Sequence, residues 1–220
     1  MTSFSIIGGT GALGAGLAQR LLKAGHEVWI GSRDPAKAQA FAAGLNQPRA
    51  HGAGLADAAA AAEICFLCVP YAAHADTLVQ IREAVQGKVL VDATVPLKPP
   101  KVGTVQLPAA GCAALETAAA LGEGVRIVSA LQTVGAEKLA SGGPIDGDVL
   151  VAGDDAEAAE QVRAVLTELG MVSWHVGPLA NAAAAEAMTS VLIQINRRYK
   201  RVQSGLKITG KPKSSADEAT

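Results

Sequence analysis

Three glycines near the start of the chain have the spacing of a phosphate-binding turn. Gly9, Gly11 and Gly14 form the pattern G-x-G-x-x-G. The first glycine permits a tight turn, the second lets the backbone approach a pyrophosphate, and the third lets the following helix lie close to its strand. That helix would present unpaired backbone N–H groups to the anion. The motif predicts a dinucleotide site, the alternative being a glycine-rich turn of an α/β fold that has lost its ligand.

The residues after the second predicted strand indicate which dinucleotide is bound. An acidic side chain about twenty residues beyond the glycines would contact the adenosine ribose of NAD. The chain instead has Ser32 and Arg33, with Lys37 one helical turn further on. A guanidinium binds phosphate through paired hydrogen bonds and stacks on adenine. These residues favour NADP over NAD. The alternative is that Arg33 and Lys37 are ordinary solvated charges and that Asp34 contacts the ribose.

No pattern for proton transfer accompanies this motif. The sequence holds no triad, no paired carboxylates and no metal-ligand cluster. An alcohol dehydrogenase normally needs a Tyr/Lys, Lys/Asn or His/Asp relay near the carbonyl, and no such relay, including a Tyr-x-x-x-Lys element, can be assembled from this sequence. Hydride transfer between two flat rings is different, because the acceptor can take its proton from solvent and the protein need only stack the rings. Apolar and backbone groups suit that reaction, and the chain supplies them after predicted strands three and four at 69–71 and 94–96. We predict no catalytic acid or base and no metal.

Apolar runs typical of strands alternate with Ala- and Leu-rich helical stretches. In the first helix, at about 11–24, Leu13, Leu17 and Leu21 recur on one face. Asp34 and Pro35 have the residue types of an N-cap and a first helical position. This alternation predicts a parallel sheet covered by helices. Strands are predicted at 4–7, 27–30, 64–69, 88–92, 125–130, 148–152 and 171–176, and further helices at about 55–62, 74–85, 155–169 and 179–199.

Three stretches depart from that alternation. Residues 95–100 are too rich in proline for a helix or strand and are predicted to form a loop that leaves the sheet. The middle of the last helix, 183–195, is apolar on nearly every side, so we expect it to be buried within the domain or against a second subunit. Residues 211–220 are polar and are predicted to be disordered.

Composition limits the partners and the compartment. The 220 residues are 50% hydrophobic and 18% charged, with a net charge of −1, which suits one sizeable core and does not favour nucleic acid. The sequence lacks an uninterrupted apolar run of about 18 residues and a signal peptide. Cys65 and Cys68 lie three apart on a predicted strand and should face opposite ways, and Cys112 lies in a loop-like stretch. We expect reduced thiols, no membrane contact and a cytoplasmic protein.

The four histidines are interpreted mainly as structural. His26 lies at a predicted helix–strand turn, His51 in a predicted loop and His175 inside a predicted strand. His74 follows the third strand near the expected nicotinamide end and is a candidate neighbour of the site.

Over about residues 4–209 the chain resembles the NADPH-dependent reductases of the deazaflavin coenzyme F420. The family pattern G-G-T-G-x-L-G is matched at 8–14, and G-S-R with a Lys four residues beyond the Arg is matched at 31–33 and 37. Further matches are V/I-P-aromatic at 69–71, V-P at 95–96, S-A-L-x-T at 129–133, G-D-D at 153–155, G-P-L-x-N at 177–181 and G-x-K/R-I near 205–208.

The resemblance implies an α/β fold: a Rossmann-type doubly wound parallel sheet at 1–150 that binds NADP, a small C-terminal α/β or helical domain at 151–210, and usually a homodimer. Hydride would pass reversibly between NADP(H) and coenzyme F420 in the cleft between the domains. The implied NADP contacts are Gly9, Thr10, Gly11, Ala12, Leu13 and Gly14 for the pyrophosphate, Ser32, Arg33 and Lys37 for the 2′-phosphate, and Val69, Pro70, Tyr71, Val95, Pro96 and Ala136 around the nicotinamide. The implied deazaflavin contacts are Gln132, Thr133, Asn181, Leu206 and Lys207.

Coenzyme F420 carries a phosphate and a glutamyl tail, so its pocket should present cations. One candidate is the basic cluster at 197–201 with Lys207 beyond it. At the end of a helix such residues also complement the macrodipole. Two other functions stay open: NADP-dependent reduction of a small imine or keto acid, for which 220 residues is short, and an NADP(H)-binding redox sensor without turnover.

Overall fold

The computed structural model describes residues 2–210, and the tail predicted at 211–220 lies outside the described residues. The strands are β1 Ser3–Ile7, β2 Glu27–Ser32, β3 Ala50–Gly54, β4 Ile64–Leu67, β5 Val89–Asp92, β6 Arg126–Ser129, β7 Asp148–Gly153 and β8 Val172–His175. The α-helices are α1 Ala12–Lys23, α2 Pro35–Gly44, α3 Leu55–Ala60, α4 His74–Ile81, α5 Ala113–Leu121, α6 Ala136–Ala140, α7 Ala156–Glu168 and α8 Ala182–Tyr199.

The eight strands form a sheet of order β3-β2-β1-β4-β5-β6-β7-β8. The first six are parallel in the doubly wound order, which confirms the predicted fold class. β7 runs antiparallel to β6, and only Val128 with Gly153 and Ser129 with Ala152 are paired. The first half of β7 therefore extends beyond the carboxyl end of β6. The predicted domain boundary after residue 150 falls within β7, and the two-domain division stays a prediction.

Helices cover both faces of the sheet, so the central strands are buried and mostly apolar. β4 and β5 are buried at every position, as strands covered on both sides must be. Cys65 lies in the apolar cluster under α3, α4 and α5, whereas Cys68 packs on the cluster under α1, α2 and α7. The prediction that these thiols face opposite ways is confirmed, and both are free. Burial raises the pKa of the Cys65 thiol and raises that of Cys68 to about 12.

One strand was not predicted. Ala50–Gly54 contains two glycines and no apolar run, yet it pairs in parallel with β2. A Cβ at Gly52 would overlap the backbone of Ala38, so α2 lies against this edge strand only because the strand lacks a side chain there. The prediction that His51 lies in a loop is wrong, since it is the second residue of this strand. Its Nε2 lies 3.1 Å from the Glu27 carboxylate.

Two helices were also absent from the prediction. α5 begins after Cys112, which is its N-cap, is buried, and lies at the end of the predicted loop-like stretch. The cap is supplied from elsewhere in the chain, because Glu186 accepts hydrogen bonds from the N–H groups of Ala113 and Ala114 at 2.8 and 3.1 Å. α6 has five residues, too few for a recognisable period.

The long C-terminal helix is only partly buried in the single chain. A 3-10 turn over Leu179–Asn181 precedes α8. Val191 and Ile195 are 41% and 36% exposed, so the expectation that the apolar middle of this helix is buried is not met within one chain. Within residues 2–210 no helix is long and apolar enough to cross a membrane.

Candidate dinucleotide site at the carboxyl edge of the sheet

The predicted phosphate turn lies between the end of β1 and the start of α1. A Cβ at Gly9 would lie 2.8 Å from the carbonyl oxygen of Ile6, and one at Gly14 would lie 2.7 Å from the Cα of Gly9. Neither position has room for a larger residue. Gly11 is the N-cap of α1 and makes no side-chain cap hydrogen bond. The first N–H groups of this 12-residue helix therefore point, without a side-chain acceptor, to where an anion can bind.

A cavity of about 190 Å³ opens beside this turn. It joins the phosphate turn to the end of β2 and to the turn after β4. Its lining residues are Gly8, Thr10, Gly11, Ser32, Arg33, Lys37, Leu55, Cys68, Val69, Pro70, Ala73 and Thr77. Eight positions drawn from three motifs of the sequence therefore meet in one cavity. Of the other four predicted phosphate residues, Gly9 and Gly14 are buried, Ala12 is exposed at the first turn of α1, and Leu13 packs against the core.

The cationic end of this cavity is open to solvent. Arg33 and Lys37 are exposed, and no carboxylate of the described residues lies within 4.0 Å of either side chain. Asp34 caps α2, as predicted, by accepting a hydrogen bond from the backbone N–H of Lys37 at 3.2 Å. Its own backbone N–H donates to the Ser32 hydroxyl at 3.2 Å. The Asp34 carboxylate is thus occupied by the helix start, and the charge facing solvent here is positive.

The predicted ring-binding turn after β4 is apolar and held in place by a phenol. Val69 and Tyr71 are half-buried and Pro70 is exposed. The Tyr71 hydroxyl donates to Glu116 of α5 at 3.0 Å. Burial, followed by this contact with a carboxylate, raises the pKa of Tyr71 to about 12. Tyr71 therefore stays protonated at neutral pH and is suited to hold the turn.

The loop after β5 starts from a buried carboxylate. Asp92 is 0% exposed, and its Oδ1 accepts the backbone N–H of Thr94 at 2.8 Å. Its Oδ2 accepts the Thr117 hydroxyl at 2.6 Å and lies 3.2 Å from His74 Nε2. His74, the candidate neighbour of the site, is itself 2% exposed and is directed toward Asp92. Val95 is half-buried and Pro96 buried just beyond this point.

Two predicted deazaflavin residues follow β6 and connect the site to α8. Gln132 is 6% exposed, and its side-chain N–H₂ donates to the Asp92 carbonyl and to the Ser129 hydroxyl, each at 2.8 Å. The Thr189 hydroxyl of α8 donates to the Gln132 carbonyl at 2.9 Å. Thr133 follows and is also 6% exposed. α6 then starts at Ala136, which is half-buried.

The remaining predicted deazaflavin residues lie in two different places. The N–H of Asp148 donates to the Leu206 carbonyl at 2.7 Å, so the C-terminal segment lies along the start of β7, beyond the end of β6. Lys207 is exposed and its Nζ lies 3.2 Å from an oxygen of Asp146. Asn181 is exposed at the far end of α8, where its amide donates to the Val176 carbonyl at 2.6 Å. Eight residues of helix, about 12 Å, separate it from Thr189, and the structure does not bring it to the other four.

Basic side chains lie at the end of α8. Residues 197–201 are all exposed, and Lys200 adopts the left-handed conformation that ends the helix. The proline-rich loop approaches them, since a Cβ at Gly103 would lie 3.4 Å from a guanidinium nitrogen of Arg197. At its other end this loop places Lys98 Nζ 5.8 Å from the centre of the Tyr71 ring. Lys98, Lys101 and Arg197 together are called the basic rim below.

Within residues 2–210, no group of three or more His, Cys, Asp or Glu side chains could hold a metal ion.

Two histidines lie where the sequence predicted them. His26 lies at the turn before β2, with its Nε2 2.9 Å from Glu168, and His175 lies in β8.

Comparison with known proteins gives consistent matches. The family model described as NADP oxidoreductase coenzyme F420-dependent matches residues 3–96. The F420-dependent NADP reductase of Methanothermobacter marburgensis is 36% identical over 220 residues, covering 94% of this chain and 98% of the relative. That of Methanothermobacter thermautotrophicus is 40% identical over 221 residues, covering 94% and 95%. A solved structure from Arthrobacter sp. FB24, provisionally named an F420-dependent NADP-reductase, has a TM-score of 0.83 at 26% identity and covers 96% of this chain and 100% of its own.

Proposed function

The chain belongs to the family of F420-dependent NADP reductases, and we propose that it transfers hydride reversibly between NADP(H) and the deazaflavin coenzyme F420. The observation that supports this most directly is the single cavity shared by the phosphate turn, by Ser32, Arg33 and Lys37, and by the Val69-Pro70 turn. The phosphate turn after β1 lies between the cationic end of β2 and the apolar turn after β4. NADP likewise carries its pyrophosphate between the adenosine phosphate and the nicotinamide.

The phosphate half of the cofactor fits the groups present. We propose that the pyrophosphate lies over Thr10, Gly11, Ala12 and Leu13, at the start of α1, where unpaired N–H groups and the helix dipole favour negative charge. The 2′-phosphate then lies against the Ser32 hydroxyl and the side chains of Arg33 and Lys37. A guanidinium and an ammonium exposed side by side discriminate a phosphate from the ribose hydroxyl of NAD.

At the nicotinamide end of the site, the protein has to position the two rings and exclude water from them. When bound, NADPH supplies the hydride from nicotinamide C4 and coenzyme F420 supplies the accepting ring. Val69, Val95 and Ala136 provide apolar contacts for one ring, and Tyr71 stays protonated and bonded to Glu116. No group of the protein has to move a proton, because solvent supplies it to the acceptor. The chain raises the rate by holding the two rings in contact.

The deazaflavin is proposed to approach from the side of Gln132, Thr133 and Leu206, which meet at the carboxyl edge near the start of β7. Lys207 borders that edge and Asn181 does not. The basic rim borders the ring-binding turn, with Lys98 Nζ 5.8 Å from the centre of the Tyr71 ring, and supplies cations for the phosphate and glutamyl tail of coenzyme F420. We therefore assign the tail to Lys98, Lys101 and Arg197 rather than to the whole cluster at 197–201.

A homodimer is proposed as the working form. Along α8, Ala184, Val191, Ile195 and Tyr199 are exposed at spacings of seven, four and four residues, which places them on one side of the helix. A second copy of the chain would cover this stripe and meet the expectation that the helix is buried. The three free thiols suit a reducing compartment, so we propose the cytoplasm as the location.

The test uses purified protein, NADPH and oxidised coenzyme F420, with loss of the deazaflavin absorbance as the signal. The proposal requires a rate well above that of a protein-free control. Stoichiometric NADPH binding with no oxidation by any deazaflavin would contradict it and favour the redox sensor. Oxidation by small imines or keto acids alone would contradict it in favour of the other reductase activity.

A further inference from the structure

One buried carboxylate connects the two loops between which the nicotinamide ring is proposed to lie. Asp92 is fully buried at the end of β5. It accepts the backbone N–H of Thr94 on one oxygen at 2.8 Å, and the Thr117 hydroxyl on the other at 2.6 Å. The second oxygen also lies 3.2 Å from His74 Nε2. A buried carboxylate with such short contacts forms strong charge-assisted hydrogen bonds.

These partners belong to the two loops of the site. His74 begins α4, three residues after Tyr71 and the ring-binding turn. Thr94 is the second residue of the loop that follows β5 and continues through Val95 and Pro96. Thr94 is 1% exposed, and its hydroxyl has no hydrogen-bond partner among the described residues, so its backbone N–H to Asp92 is the polar attachment of the loop start. A backbone hydrogen bond from the Ala93 N–H to the Leu67 carbonyl at 3.1 Å joins the ends of β5 and β4. Beyond it, Asp92 is the side chain that contacts the starts of both loops.

Helix α5 holds this carboxylate and one of the loops from behind. Thr117 binds Asp92, and the preceding residue Glu116 accepts the Tyr71 hydroxyl at 3.0 Å. The start of α5 is fixed in turn by Glu186 of α8, which is 1% exposed. The hydroxyl of Thr117 also lies 2.7 Å from His74 Nε2. A shift of α5 would change both loops together.

We propose that Asp92, oriented by Thr117, is a positioning residue that sets the width of the nicotinamide slot. This inference rests on the proposed function, since it assigns the ring to the space between residues 69–71 and 94–96. Hydride transfer requires the reacting atoms in near contact, and a misplacement of about 1 Å lowers such a rate about 100-fold. Asp92 touches neither ring and acts through the loops.

The test compares Thr117→Val, which keeps the shape and removes the hydroxyl, with Thr117→Ser, which keeps the hydroxyl. In single-turnover mixing of NADPH-loaded protein with oxidised coenzyme F420, we expect the valine variant to transfer hydride about 10- to 100-fold more slowly. The serine variant should recover most of that loss. The affinity for 2′,5′-ADP, which reports the phosphate half alone, should stay within about threefold in both. Equal rates in the two variants, or a loss of 2′,5′-ADP affinity as large as the loss of rate, would overturn the proposal.

A second readout needs no acceptor. The fluorescence intensity and anisotropy of bound NADPH report the surroundings of the nicotinamide ring, and we expect them to change in Thr117→Val and not in Thr117→Ser. Asp92→Asn is a third variant, which keeps the side-chain volume but replaces an acceptor oxygen with a donor. It should change the NADPH fluorescence in the same direction as Thr117→Val. It also keeps the test available if Thr117→Val does not fold. Unchanged NADPH fluorescence in both Thr117→Val and Asp92→Asn would overturn the inference. A wild-type protein without hydride transfer would instead count against the proposed function, while the fluorescence still decides the inference.

Discussion

Gly16 of α1 and Ala140 of α6 lie so close that a Cβ at position 16 would be 2.8 Å from the Ala140 backbone nitrogen. One turn further along α1, Arg20 is 8% exposed and its Nε donates to the Leu139 carbonyl at 2.8 Å. Its other guanidinium nitrogens bind three more carbonyls nearby. Helix α1, which starts at the phosphate turn, therefore packs tightly on α6, whose first residue, Ala136, belongs to the proposed ring site.

This contact predicts a specific loss of stability. Gly16→Ala should lower the free energy of unfolding by about 1–3 kcal/mol, because the new methyl group would overlap backbone that has no room to move. Gly44→Ala is the matched control: Gly44 lies in α2 with nothing within 4 Å of an added Cβ. Removing a helical glycine there should leave stability unchanged or raise it by up to about 1 kcal/mol. Urea unfolding measures both, and equal effects at the two positions would show that the α1–α6 contact is not tight.

Cofactor discrimination is predicted to depend on Arg33. Arg33→Ala should weaken NADPH binding about 10- to 100-fold, the loss expected for a charge-assisted phosphate contact of about 1.5–3 kcal/mol, and should change NADH binding less than about threefold. Arg49→Ala is the control, because Arg49 is also exposed but precedes β3 and so lies at the amino ends of the strands, whereas Arg33 lies at their carboxyl ends. Titration by fluorescence gives all four affinities. Equal losses for NADPH and NADH would remove the 2′-phosphate assignment.

The buried carboxylate of Glu186 predicts a pH dependence of stability. Burial raises its pKa to about 7, against the opposing effect of the two N–H groups that it accepts. Below about pH 4.5 the carboxyl group is protonated in both the folded and the unfolded chain. As the pH rises from there to about 7, the unfolded chain releases the proton first, so the free energy of unfolding falls across that window and levels off above it. The expected contribution is about 1–3 kcal/mol.

Glu186→Gln removes that titration, so the stability of the wild type relative to this variant should be greater at pH 5 than at pH 8. Guanidinium unfolding at the two pH values gives the difference. Glu157→Gln, at an exposed carboxylate of α7, serves as the control with the same substitution. A difference between wild type and Glu186→Gln that does not change with pH would show that Glu186 titrates as an ordinary carboxyl group.

The basic rim predicts an electrostatic effect confined to the deazaflavin. Arg197→Glu should raise the KM for coenzyme F420 at least about fivefold with little change in the KM for NADPH, and the effect should shrink as salt is added. Arg82→Glu, at an exposed arginine that follows α4, reverses a charge away from the proposed rim and should have little effect. A salt-independent effect, or an equal effect on both substrates, would contradict the assignment of the tail.

Local features of the site could be predicted from the sequence. The phosphate turn, the Asp34 cap and the strand–helix alternation each depend on residues within a few positions of one another, so their types and spacing suffice. The strand Ala50–Gly54 was missed because its stability comes from pairing with β2 and from the close approach of α2 over Gly52, neither of which leaves an apolar pattern. α5 was missed because its cap, Glu186, lies more than 70 residues further along the chain.

The support of the ring site could not be predicted for the same reason. Asp92 binds His74 and Thr117, which are 18 and 25 residues away, and only the fold shows that they share one carboxylate. The sequence does show that an acidic residue, Asp92, ends a buried strand, and this is the signal that could have pointed to it as a supporting residue of the site. Asn181, which the resemblance assigned to the deazaflavin, lies just before the N-terminal end of α8, and its contact with the deazaflavin stays a prediction.

The central claim is that this chain stacks nicotinamide on a deazaflavin and passes hydride directly between them. The most direct measurement follows deuterium from NADPH labelled at nicotinamide C4 in ordinary water, using mass spectrometry of the reduced deazaflavin, with each C4 position labelled in turn. Direct transfer predicts that one of the two labelled substrates delivers its deuterium fully to the deazaflavin ring and the other delivers none. A reduced deazaflavin that carries only solvent hydrogen with both labels, or no reduction at all, would contradict the account.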